Sequence, residues 1–147
     1  MDANTDRKAW MSTLAKAPAE LLSRLWADFG ETPEFEFLRT PEVGGAMVRG
    51  RMGGTGAAFN LGEMTVTRCS LQLGSGEVGH AYVQGRDKAK ARIAALVDAL
   101  MQGPQADVVR ATILTPLVDH LQTQRALRAS KAAATKVEFF TMVRGED

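Results

Sequence analysis

The residues best suited to gripping an anion lie in the run Arg51-Met52-Gly53-Gly54-Thr55-Gly56, with Arg49 just before it and Phe59 and Gly62-Glu63 after it. Glycine at positions 53, 54 and 56 lets backbone amides converge on one point. Arg51, helped by Arg49, offers a planar fork of donors that matches phosphate or carboxylate. No Gly-Lys-Ser/Thr follows and the GxGxxG spacing is absent, so the run is neither a P-loop nor a dinucleotide fingerprint. The same glycines would serve equally well in a tight connection between two strands, or in a demanding contact with another subunit.

A second cationic cluster falls at Tyr82-Val83-Gln84-Gly85-Arg86-Asp87-Lys88. The pattern places it where a strand gives way to a helix. A helix N-terminus presents free amides and a positive dipole end, to which Arg86 and Lys88 add charge for a docking anion. The plainer alternative is that Asp87 caps the helix while Arg86 and Lys88 face solvent.

The remaining reactive side chains form no recognisable catalytic set. His80 lies on a predicted strand, on the face shared by Val78 and Tyr82, which suits a core or interface histidine. His120 lies on a predicted helix beside Asp119, but adjacent helical residues diverge in direction and make a poor acid–base pair. No H-E-x-x-H occurs, and no nucleophile–histidine spacing can be read. Cys69 is the sole cysteine; it excludes an internal disulfide or an all-cysteine metal site, and suits a small core residue. No catalytic residue, metal site or resident cofactor is therefore expected in this chain. A small hydrolase built on His80 or His120 is the least favoured class.

The elements that must carry these residues follow from periodicity. Ala9, Trp10, Thr13 and Leu14 share a helical face, with Thr5 or Asp6 as candidate N-cap. Pro18 opens a second helix whose stripe is Leu21, Leu22, Leu25, Trp26 and Phe29, and Gly30 closes it. Glu34–Arg39 alternates as a strand, Ala46–Met52 reads as a second, and Glu63–Leu73 as a third with Thr65, Thr67, Cys69, Leu71 and Leu73 on one face. Gly74-Ser75-Gly76 turns the chain into a strand at Glu77–Gln84. A helix capped by Asp87 then carries Ala89, Ile93, Leu96, Val97, Leu100 and Met101 to a stop at Gly103-Pro104. Val108–Leu114 is ambiguous between strand and helix, and Pro116–Ala134 reads as helix. Lys136–Arg144 reads as a strand apolar on both faces, with Val137, Phe139, Thr141 and Val143 on one side and Phe140 and Met142 on the other. Such a strand would need a central place in the sheet or a partner chain over it. Hairpin signals outnumber βαβ signals. The expectation is thus an α+β fold, an antiparallel sheet with two N-terminal helices and further helices packed on it.

Bulk properties agree with one globular domain over residues 1–147. A chain of this length can bury roughly 68–70% of its unfolded surface. Hydrophobic residues make up 45% and charged residues 24%, unlike a disordered chain. Eighteen basic side chains against 17 acidic ones leave a net charge of +1, which argues against a dedicated nucleic-acid binder. No apolar run is long enough to span a bilayer, and the N-terminus lacks a secretory h-region, so a cytoplasmic protein is expected.

Three stretches taken in order carry a resemblance: Arg51–Phe59, Val83–Lys88, and Val137–Gly145 (Val-Glu-Phe-Phe-Thr-Met-Val-Arg-Gly). Together with Ala9-Trp10-Met11-Ser12 and the helix at Ile93–Met101, they resemble the PhnG family of the carbon–phosphorus lyase system, over nearly the whole chain. The resemblance implies a subunit working with PhnI-, PhnH-, PhnJ- and PhnL-type partners, in two copies within a symmetric hetero-oligomer. It also implies a transferase reaction in phosphonate catabolism: a phosphonate is placed on the ribose C1 of ATP, adenine leaves, and ribose 1-phosphonate 5-triphosphate forms. ATP would then be a substrate of the assembly. The nucleosidase-type chemistry is associated with the PhnI-type subunit, so this chain would complete or position the transferase and show no activity alone. Arg51, Gly53, Gly54, Thr55, Gly56, Arg86 and Lys88 remain candidates for substrate or interface contact. A free-standing phosphate- or nucleotide-binding module using the glycine run is the alternative.

Overall fold

A computed structural model describes the backbone of residues 3–51 and 58–144, with side chains for 4–47, 50 and 62–139. In chain order the elements are α1 (Ala3–Lys16), α2 (Ala19–Phe29), β1 (Phe35–Arg51), β2 (Ala58–Leu73), β3 (Val78–Gln84), α3 (Lys88–Leu100), α4 (Ala106–Val109), a π-type turn over Arg110–Leu114, and α5 (Thr115–Arg144). The strands form an antiparallel sheet in the order β1-β2-β3. The fold is α+β, as the hairpin signals require. Two units divide the chain, one ending at Leu117 and the other beginning at Val118.

The first unit is organised around α3. From Ile93 to Met101 every residue is buried, because the helix lies against β2 and β3 and is flanked by α1 and α2. Trp10 and Leu14 of α1, Leu22 and Trp26 of α2, and Cys69, Leu71 and Leu73 of β2 close the same core. Each large side chain buried there contributes about 1.5–3 kcal/mol relative to exposure. The approach of β3 to α3 depends on Gly79, since a Cβ at that position would overlap the Ala95 carbonyl oxygen.

Several boundaries depart from those the sequence suggests. Thr5 and Asp6 lie inside α1, which begins at Ala3, so neither caps it. Glu34–Arg39 and Ala46–Met52 belong to one strand rather than two, although Met52 itself lies outside the described residues. Register shifts around Leu38 and between Arg39 and Glu42 absorb Pro41. An edge strand tolerates a proline that a central strand would reject, because its outward side has no ladder to break.

Val108–Leu114 is helical. Its π-type widening directly precedes Pro116, whose missing N–H and ring would strain a regular turn.

The C-terminal strand is also corrected. Lys136–Arg144 continues α5. No glycine or proline falls between Pro116 and Gly145, and Ala132-Ala133-Ala134 leads directly into the segment. Once the helix is running, each further residue adds a hydrogen bond at low cost, and a short alternating pattern does not stop it. Within the second unit, every residue from Gln122 to Phe139 is exposed.

Candidate functional site

The junction from β3 to α3 is built tightly. Gly85 takes φ of 88°, a left-handed conformation that a side chain would oppose. Its N–H donates to the Thr65 carbonyl at 2.9 Å. The Thr67 hydroxyl donates to the Gly85 carbonyl at 2.7 Å and accepts the Asp87 N–H at 3.1 Å, so one buried threonine locks both ends of the turn. Asp87 then accepts the Lys90 N–H at 2.9 Å and caps α3 as expected. Arg86 and Lys88 are exposed, and among the described residues neither makes a hydrogen bond or ion pair. The turn therefore presents two free cations at a helix N-terminus where the cap already holds one of the amides.

The strand end that leads into the glycine run lies along β2 from this junction. Arg51 pairs with Ala58 at the far end of the hairpin, while Gln84 pairs with Val66. Ala58 and Val66 are separated along β2 by about 26 Å at ~3.3 Å per residue. The backbone of Arg51 is thus set well apart from Arg86 and Lys88. The side chain of Arg51 and all of Gly53, Gly54, Thr55 and Gly56 lie outside the described residues.

His80 is exposed, so of the core and interface positions that its strand face suggested, the core one is excluded. Gly79, Ala81 and Val83 turn inward, and His80, Tyr82 and Gln84 turn out. His80 Nδ1 lies 2.9 Å from Ser70 Oγ across the exposed strand face. His120 sits on α5, half-buried, in the second unit. Among the described residues no group of three His, Cys, Asp or Glu side chains could hold a metal ion. Cys69 is buried, and burial pushes its thiol up to about 11, against a weaker pull from Arg92.

Sequence reasoning missed a buried polar cluster centred on Asp98. Asp98 is fully buried and accepts four hydrogen bonds: Arg7 Nε at 3.2 Å, Arg7 Nη2 at 2.9 Å, Trp10 Nε1 at 2.8 Å and the His80 backbone N–H at 2.9 Å. The Asp98 carboxylate holds the Arg7 guanidinium above its ordinary value, chiefly through their hydrogen bonds. This carboxylate joins α1, β3 and α3. Its acceptor sites are filled by the protein itself, so it works as a structural anchor. The signal was present: Asp98 is the single charge in the run Ile93–Met101, and Arg7 and Trp10 are one helical turn apart.

A second buried ion, Lys90, donates from Nζ to the Ala15 carbonyl at 3.1 Å, near the C-terminal end of α1. Burial lowers its pKa, with partial opposition from Asp87. A cation at the negative end of a helix dipole is well placed.

These features define a small α+β unit whose buried ions Asp98 and Lys90 are engaged by its own packing, and whose helix-opening turn displays Arg86 and Lys88 to solvent. The chain belongs to a family described as phosphonate metabolism protein PhnG, which it matches over residues 5–145. It is similar to the alpha-D-ribose 1-methylphosphonate 5-triphosphate synthase subunit PhnG of Rhizobium meliloti (strain 1021), at 44% identity over 141 residues, covering 96% of this chain and 90% of that protein. Among the described residues, no helix is long and apolar enough to cross a membrane.

Proposed function

We propose that this chain is the PhnG-type subunit of a ribose 1-phosphonate 5-triphosphate synthase, a cytoplasmic assembly that moves a phosphonate onto the ribose C1 of ATP and releases adenine. The observation that carries this reading is the similarity along 96% of the chain to a protein named as a subunit of such a synthase. The chain acts as an accessory to a catalytic PhnI-type subunit, with PhnH-, PhnJ- and PhnL-type partners and two copies in a symmetric hetero-oligomer. The inward-turned chemistry of Asp98 and Lys90 supports an accessory role, because both groups already have partners.

Contact with the anionic substrate, or with a partner's carboxylates, falls to Arg51 and the glycine run, or to Arg86 and Lys88. Arg86→Ala with Lys88→Ala removes exposed charge without touching the core, so stability should be unchanged. Co-expression of the synthase subunits with and without this chain tests the main reading. Adenine release from ATP and methylphosphonate should require it, and undiminished release in its absence would refute the proposal. Specific activity per assembled complex then separates the two clusters, since only the one that meets an anion should lower turnover when its arginine is removed.

A further inference from the structure

A cleft of about 460 Å³ opens where the connection from α2 to β1, the turn from β2 to β3 and the C-terminal end of α3 come together. Leu73, Ala99 and Leu100 line it with apolar surface, and Glu31 and Glu77 contribute carboxylates. Among the described residues, no lysine, arginine or histidine lines it. The last turn of α3 carries no basic residue either, so the negative end of that helix dipole is left without a cation of its own.

Both carboxylates are steadied by neighbours. Glu31 Oε2 accepts the Gln105 amide at 3.3 Å, and Glu77 Oε2 accepts the Ser75 hydroxyl. The Ser75 bond, helped by the backbone amide of Glu77 itself, holds the Glu77 carboxyl below its ordinary value. A carboxylate has about four lone-pair sites, so each keeps acceptors free for another donor. Apolar lining, two oriented anions and a helix C-terminus together describe the complement of one kind of side chain. An arginine lays its aliphatic stem on apolar surface and presents five donors in a rigid fork. A lysine concentrates its charge at one point and bridges two anions on separate elements less well.

We infer that this cleft receives an arginine side chain from a partner subunit, its stem against Leu73 and Leu100 and its guanidinium paired with Glu31 and Glu77. The inference rests on the proposed role as a synthase subunit and adds to it a specific contact. Arginine is over-represented among the residues that dominate interface energies, and a pocket that shields its stem from water is the setting in which such a residue contributes most.

The test uses the full chain and the remaining synthase subunits. Glu31→Gln combined with Glu77→Gln removes two charges while keeping shape. Glu20→Gln combined with Glu36→Gln, at exposed positions that do not line the cleft, removes the same charge as a control. Thermal melting of both double variants should match the parent chain. The dissociation constant for assembly should rise about tenfold or more for the cleft pair, lose part of its salt dependence, and stay nearly constant for the control pair. Equal behaviour of the two pairs overturns the inference and leaves the subunit reading standing. Binding of free agmatine to the isolated chain, with assembly indifferent to the cleft pair, overturns it in favour of a small cationic ligand. Failure of the parent chain to assemble at all refutes the subunit reading and this contact with it.

Discussion

Trp10 donates its indole N–H to the Asp98 carboxylate at 2.8 Å across 88 positions of sequence. Arg7, one turn earlier on α1, closes the other side of the same carboxylate at 2.9 Å and 3.2 Å. All four groups around Asp98 are donors, so the site needs an acceptor and nothing else. Asp98→Asn keeps the shape but turns an NH2 toward those donors. It should cost about 3 kcal/mol or more, and lower the melting temperature by about 6–12 °C for a chain of this size. Thermal and urea unfolding would measure it. A loss within ordinary surface-mutation scatter would mean that the carboxylate is not the anchor.

Gly79→Ala tests the fit of β3 on α3. The added methyl would overlap the Ala95 carbonyl oxygen and press on Ala99, and backbone cannot move aside as a flexible side chain can. A destabilisation of about 1–3 kcal/mol, as for an overpacked core, is expected by urea unfolding. A neutral result would place the strand further from the helix.

Much of this architecture was legible because its signals are local. Pro18, the Leu21-to-Phe29 stripe and Gly30 delimit α2 without help from the rest of the chain, and Asp87 marks the start of α3. The position of Arg86 and Lys88 followed from that boundary. The continuity of β1 was hidden because Pro41 and Gly44-Gly45 look like breakers; pairing with β2 reveals a register shift at Pro41 and unbroken register through Gly44-Gly45. The C-terminal segment alternates over too few residues to outweigh the helix already propagating through Ala132–Ala134. The partners of Asp98 were hidden for another reason. A buried acid is defined by donors on α1 and β3, and nothing within its own helix names them.

Stability at high pH should reflect two buried groups with opposite signs. The Cys69 thiol, raised from 9.0 to about 11, keeps its proton in the folded state where the unfolded chain has lost it. Its stabilising contribution is present below pH ~9 and lost as pH climbs through about 11. Lys90 is lowered from 10.5, so it costs stability near neutrality and less as pH approaches that value. Cys69→Ala should therefore flatten the decline between about pH 9 and 11 by up to ~1.4 kcal/mol per pH unit. Chemical denaturation across that range checks it, and parallel curves for the two proteins would contradict it.

Truncation after Leu121 separates folding from assembly. Residues 122–139 are exposed throughout, and they include Leu127, Val137 and Phe139 at 51%, 64% and 63% exposure. Their loss should shift the melting temperature of the remaining chain by no more than about 2 °C. Co-purification with the synthase partners should weaken strongly, because the apolar residues displayed on α5 would be gone. A truncated chain that melts normally and still assembles at full stoichiometry would remove α5 from the interface.

In the proposed function, this chain contributes to phosphonate–ATP transfer only as part of an assembly. The direct measurement is adenine release from ATP and methylphosphonate, first by the purified chain alone and then as it is titrated into the remaining synthase subunits. No release by the chain alone, and activity that rises with added chain until it saturates at the stoichiometry of the complex, is the predicted result. Adenine release that follows the pure chain through successive columns, or a complex whose activity ignores its addition, would rule out an accessory role for this chain.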